Sequence, residues 1–301
     1  MLPALLSAAA SLLALTPATA TGADAAPEAS GYTLPGTQVF EMRNSQGEPY
    51  RIFVSAPEGP APANGFPVLY VLDGNAMFAS FAEARRVQER IGAEPSSDPG
   101  PGGTIVVGIG YPTDRAYEGA RRLYDFTPPN LPQLPPVQQS LAKFKTGGRD
   151  AFLAFLLRSI RPEIARRYKV DANRQALYGH SLAGYFALHT LYSHPDAFDA
   201  VIAASPSQWW NDQEILTQER TFALRLTQGR APQRMARILL LAGDREERTE
   251  IVHDAEALAD RLKPLSTYGL RSRAEIFKGE THITVPSRSV TTALRWAAGS
   301  P

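Results

Sequence analysis

The chain contains no cysteine. That absence excludes a disulfide framework, a thiolate nucleophile, thiolate metal ligands and a lipid-bearing N-terminal cysteine, and it leaves oxidising and reducing compartments equally tolerable. An excess of either charge is lacking too: 31 Lys and Arg stand against 30 Asp and Glu, a net charge of +1. No basic run is interleaved with aromatics, so nothing favours nucleic acid, and a small molecule is the default partner. After the first twenty residues no apolar stretch is long enough to span a bilayer. H-E-x-x-H, a strand-borne G-x-G-x-x-G and P-loop glycines are missing as well. No metal and no cofactor are expected, and no internal repeat is visible.

What is present is 301 residues, 44% of them hydrophobic, enough for one large core. MLPALLSAAASLLALTPATA opens the chain as an apolar run closing on Ala18-Thr19-Ala20, the small-x-small form that signal peptidase cleaves, although no Lys or Arg precedes Arg43. The reading is an export signal over 1–20, a linker over 21–35 and a single domain over 36–301, located in the periplasm or secreted.

Along that domain, TQVFEMRN and YRIFVSAP alternate like a hairpin of edge strands. PVLYVLDG, TIVVGIGY, RQALYGHS, DAVIAASP, RILLLAGD and RSRAEIFKG follow as further strands, several of them nearly continuous apolar runs, as burial on both faces requires. Helical spacing falls over Ala76 to Ile91, Arg149 to Tyr168 with Pro162 as a kink or break, Leu182 to Tyr192, a mixed segment to Leu226, Glu250 to Leu262, and a last helix to Trp296. Strands alternating with helices predict an α/β fold, a mostly parallel sheet covered on both faces. One irregular region, 128–148, holds PPNLPQLPPVQQS and is too proline-rich for a helix or inner strand. It is read as a lid over the strand ends or as a plain surface loop.

YGHSLAGYFALH, Tyr178 to His189, carries the chemistry. A serine on a sharp strand-to-helix turn needs small neighbours two places before and after it, the G-x-S-x-G elbow of α/β-hydrolases. Gly179 and Ser181 fit, and Ala183 replaces the second glycine, with Gly184 one place on. A serine needs a base to take its proton and a carboxylate to orient that base, in the chain order serine, acid, histidine. His282 in KGETHITVP follows the last strand. After RILLLAG both Asp244 and Glu246 are available; Glu246 is preferred because the acid usually sits a few residues past the strand end. His189, His194 and His253 are assigned to packing or solvent, and His180 to the elbow itself. For the oxyanion, the backbone N–H of Leu182 is the first donor, with Gly74 or Asn75 in LDGNAMF supplying the second.

Four stretches, PVLYVLDGNAMF, RRLYDFTPP, YGHSLAGYFALHTLYSHPDAFDAVIAASPSQWW and GETHITVP, together resemble the siderophore-esterase branch of the putative esterase family. The resemblance runs from about Gly36 to Ala297 and implies an α/β-hydrolase fold, with hydrolysis of the serine tri-lactone of catecholate siderophores such as enterobactin and salmochelin. It assigns Ser181 as nucleophile and His282 as base. It also places a ligand-contacting arginine at Arg122 or Arg121, where the alternative is a pair with Asp125 or a surface position. Trp209 and Trp210 match a family feature and line a catechol pocket or belong to the core. Ala183 departs from the family's second glycine. The expected protein is an exported serine esterase acting on a ferric or iron-free siderophore. The rivals are an esterase for a feruloyl, acetyl or thioester compound, and a non-enzymatic ferric-siderophore binding protein.

Overall fold

In β3 (Phe66–Leu72) every residue is buried, and its side chains divide by alternation: Val68, Tyr70 and Leu72 enter one core while Leu69 and Val71 enter the other. A strand with protein on both faces has no polar side, which is why its sequence is an unbroken apolar run. The computed structural model describes residues 31–91, 100–129, 143–247 and 250–299. The expected export signal, most of the expected linker and the centre of the proline-rich region, residues 130–142, lie outside the described residues.

From Leu34 onward the chain is one compact unit. Its described residues run β1 (Thr37–Arg43), β2 (Pro49–Ser55), β3, α1 (Gly74–Ile91), β4 (Ile105–Gly110), α2 (Gly119–Phe126), α3 (Arg149–Phe155), α4 (Arg161–Arg167), β5 (Val170–His180), α5 (Leu182–Ser193), β6 (Ala200–Ala204), α6 (Trp210–Thr227), β7 (Arg237–Gly243), α7 (Glu250–Leu262), β8 (Arg271–Phe277) and α8 (Val285–Ala297). The strands form one sheet in the order β1-β2-β4-β3-β5-β6-β7-β8. β2 is antiparallel to both β1 and β4, and all pairings from β4 to β8 are parallel. α1 and α8 supply the core on one face through Phe81, Val290 and Leu294. α2, α3, α5, α6 and α7 supply the other through Phe126, Phe152, Phe186, Phe222 and Leu258. Each such side chain removed from water contributes about 2 kcal/mol.

Two local outcomes differ from the sequence expectation. α2, over GARRLYDF, has no counterpart in the sequence pattern; it is a two-turn element too short to show a helical period, fixed by burial of Leu123 and Phe126. Pro162 neither breaks nor ends its helix. The segment Leu156–Ile160, just upstream, widens into a π-turn that joins α3 to α4, which accommodates a ring that has no N–H to give to the preceding turn.

Candidate active site

β5 ends at His180 and α5 begins at Leu182, so Ser181 turns the chain alone. Its φ of 60° and ψ of −119° lie in a region costing a non-glycine residue about 1–3 kcal/mol. Surrounding bonds hold it there: Ser181 N–H donates to Ala204 O at 2.9 Å, and Ser181 O accepts from the N–H groups of Tyr185 and Ser207 at 2.9 and 3.1 Å. A Cβ on Gly179 would stand 2.1 Å from Ala183 O, so the first small residue of the motif is required by contact with the helix. Ala183, where a second glycine is usual, is fully buried with its methyl accommodated.

Ser181 Oγ lies 3.0 Å from His282 Nε2, and His282 Nδ1 lies 2.8 Å from Glu246 Oε2. The other oxygen of Glu246 accepts from Ser205 Oγ at 2.5 Å and from Gly243 N–H at 3.0 Å. Burial of this carboxylate pushes its pKa up, but the bonds from His282, Ser205 and Gly243 outweigh burial and hold it below its ordinary value. It is therefore the ionised partner a histidine base needs. Asp244 is committed elsewhere, because its Oδ1 accepts Gly279 N–H at 2.6 Å and so braces the loop that carries His282. Of the two acids left open by the sequence, the structure brings Glu246 to the histidine.

The other histidines stand apart from this line. His189 is buried between Gln218 and Asp150, at 2.7 and 3.2 Å, while His194 and His253 are exposed. His180 packs its ring 4.7 Å from that of His282. Burial, then the neighbouring His282 and Arg122, push its pKa well below the ordinary value and keep it uncharged.

The expected oxyanion donors sit where the sheet brings them. Leu182 occupies the first turn of α5, where helical N–H groups have no partner within the helix. Gly74 and Asn75 open α1 just past β3, whose Val71 is in register with Tyr178 of β5. The Asn75 side chain is otherwise engaged. Its Nδ2 donates to Tyr111 O and Thr113 O at 3.0 and 2.7 Å, and its Oδ1 accepts Tyr111 N–H at 2.7 Å; only its backbone can serve an oxyanion.

The expected binding residues fare differently. Arg122 is paired in two-point fashion with Asp73, and neither a surface position nor Asp125 describes it. Arg121 lies over the rings of Tyr50 and Tyr111, 4.9 and 5.2 Å from their centroids, and pairs with Glu48 at 3.2 Å. Asp125 instead accepts from the hydroxyls of Tyr50 and Tyr111 at 2.9 and 3.1 Å. Trp210 is corrected from pocket to core: it is fully buried among Ile215 and Phe222 and has no face to offer a ligand. Trp209 is half-buried, 5.8 Å from it ring to ring. Sequence reasoning missed Asp73, Ser205 and Ser207, whose hydroxyl is 3.3 Å from Ser181 Oγ. These are ordinary residues made functional by strand ends meeting. Among the described residues no group of three or more His, Cys, Asp or Glu could hold a metal ion, and no helix is long and apolar enough to cross a membrane.

The family described as "Putative esterase" matches residues 44–284. The chain is 37% identical over 276 residues to the ferri-bacillibactin esterase BesA of Bacillus subtilis, covering 89% of this chain and 91% of that protein. The solved BES protein from Bacillus cereus superposes with a TM-score of 0.79 at 32% identity over 90% of this chain and 98% of that one. The siderophore hydrolase EstA from Aspergillus nidulans does so with a TM-score of 0.76 at 27% identity, over 91% and 99%.

Proposed function

This chain belongs to the putative esterase family, and from that premise we propose that it is a serine esterase opening the ester or lactone bonds of a catecholate siderophore through an acyl-enzyme. The unbroken line from Ser181 through His282 to Glu246, at 3.0 and 2.8 Å, carries the reading.

In the first step Ser181 Oγ attacks the ester carbonyl while its proton passes to His282 Nε2. Glu246 holds the Nδ1–H, fixing the tautomer and balancing the imidazolium that forms. The carbonyl oxygen becomes an oxyanion, met by N–H groups of Leu182 and of Gly74 or Asn75. Collapse of the tetrahedral centre breaks the C–O bond, and the leaving alkoxide takes the proton back from His282. A water molecule, deprotonated by the same histidine, then attacks the acyl-Ser181 carbonyl; the bond from the acyl carbon to Ser181 Oγ breaks, Oγ takes the proton back from His282, and the acid is released. Siderophore substrates are inferred from relatives whose names carry ferri-bacillibactin and siderophore hydrolysis; any iron belongs to the substrate.

Hydrolysis of iron-loaded and iron-free enterobactin, beside a p-nitrophenyl ester, tests the proposal. Ser181→Ala and His282→Ala are each expected to lower kcat by about 10⁴-fold or more with the fold intact. Turnover retained by a folded Ser181→Ala protein would remove the nucleophile, and cleavage of the simple ester alone would move the substrate to another small ester. The leader ending in Ala18-Thr19-Ala20 adds export to the periplasm or beyond to the same proposal. N-terminal sequencing of the mature protein checks it: a start at Thr21 is expected, and a mature protein still beginning at Met1 would remove export.

A further inference from the structure

The turn that is to meet the oxyanion carries a carboxylate of its own. Asp73, between β3 and α1, is a non-glycine residue at φ 53° with a side chain 3% exposed. The next two residues supply the candidate N–H donors. An ionised carboxylate buried beside those donors would repel the negative charge they stabilise, and in a dry site the repulsion is barely screened.

Arg122 answers that charge from α2. Its Nε and Nη2 each donate to one oxygen of Asp73, both at 2.9 Å, the planar two-point geometry that fixes position as well as charge. The guanidinium is itself held, 5.4 Å from the centroid of Tyr117 and 5.8 Å from that of Phe126. Its charge reaches the catalytic corner, being one of the causes that depress His180 beside Ser181. The turn is pinned from other sides as well. Asp73 O accepts the N–H groups of Ala76 and Met77 at 2.9 and 3.1 Å. The Asn75 side chain grips the segment after β4. A Cβ on Gly74 would stand 2.7 Å from Ile109 N, so α1 starts in direct backbone contact with β4. Without Arg122 the remaining restraints would hold a turn that repels its own oxyanion.

We propose that Arg122 is a positioning residue for hydrolysis of any ester, charged or neutral: through Asp73 it fixes the oxyanion turn and cancels the carboxylate beside it. The inference rests on the serine-esterase reading. It predicts a rescue that neither an anchor for an anionic ligand nor a plain structural strut would give. Removing Asp73 should repair part of the damage done by removing Arg122.

The test uses p-nitrophenyl acetate, a neutral ester without catechol or iron, with the full chain. Wild-type turnover abolished in Ser181→Ala establishes the underlying reading; failure there is a failure of the esterase assignment and is seen before any arginine variant is measured. Arg122→Gln is then expected to lower kcat about 10²-fold with KM changed less than about twofold. Arg122→Lys should fall between the two, since an ammonium supplies the charge without the fork. Asp73→Asn/Arg122→Gln should recover about tenfold over Arg122→Gln alone, a coupling of the kind double-mutant cycles report. Near-ultraviolet circular dichroism checks that each variant is folded. If Arg122→Gln does not fold, the double variant, which buries no unpaired charge, must retain kcat within about tenfold of wild type. The proposal is overturned if the double variant is no faster than Arg122→Gln. It is also overturned if Arg122→Gln keeps wild-type kcat on the neutral ester and raises KM only for a ferric catecholate, the result that makes Arg122 a ligand anchor.

Discussion

Glu246 and Asp125 are both buried, and their environments move them in opposite directions. Glu246 lies below its ordinary pKa, whereas Asp125, on α2, is pushed up to about 6. Burial raises both. Glu246 overcomes it with a ring nitrogen, a hydroxyl and a backbone N–H directed at its two oxygens. Asp125 receives two phenol hydroxyls on a single oxygen, with Arg121 drawn onto the tyrosine rings and paired with Glu48, and these bonds do not offset burial. Depth does not decide whether a carboxylate is charged; the number and aim of its donors do. The carboxylate beside His282 is met by donors from three strand ends, whereas Asp125 is met by two phenols of the hydrophobic wall.

The largest way to break this contrast is Glu246→Gln. The amide cannot accept from Nδ1–H while keeping its other partners, and kcat on any ester substrate is expected to fall about 10⁴-fold, some 5 kcal/mol of transition-state stabilisation. A fall of less than about tenfold would mean the histidine is oriented without this acid. Stability gives the smaller and oppositely signed test. The ionised form of Glu246 stabilises the fold above the ordinary carboxylate range, a contribution lost as pH falls through its depressed pKa. Asp125 works the other way: between the ordinary 3.8 and about 6 the folded state binds more protons than the unfolded one, so its contribution falls as pH rises through that window. Asp125→Asn keeps an oxygen for both tyrosines and removes the buried charge. Urea unfolding should find it more stable than wild type at pH 7.5, by up to about 3 kcal/mol, with the gain vanishing near pH 4. A destabilised Asp125→Asn at pH 7.5 would show that the tyrosine hydroxyls need the charge.

The sheet was legible because strands buried on both faces have no polar side: PVLYVLDG, TIVVGIGY and RILLLAG announce themselves without any long-range information. Ser181, His282 and Glu246 could be picked out because each follows the carboxyl end of a strand in the expected chain order, and the structure brings the three side chains together. The supporting residues were hidden because their partners are remote in sequence. Asp73 meets Arg122 across 49 residues and Ser205 meets Glu246 across 41; no local pattern encodes either meeting. Trp210 was left open between pocket and core because an aromatic after a strand end can turn either way, and only the packing of α6 places it in the core. α2 escaped because two helical turns carry too few residues to display a period, and the π-turn before Pro162 because a widened turn leaves the apolar spacing nearly unchanged.

Glu246 accepts from the ends of three successive strands: Ser205 after β6, Gly243 closing β7 and His282 in the loop after β8. The acid is therefore also a knot that ties three loop ends together. Serine, histidine and carboxylate recur on unrelated folds in other orders, but moving the carboxylate to another strand here would undo three loop ends at once. Asp244, at the same strand end, is held instead by the N–H of Gly279.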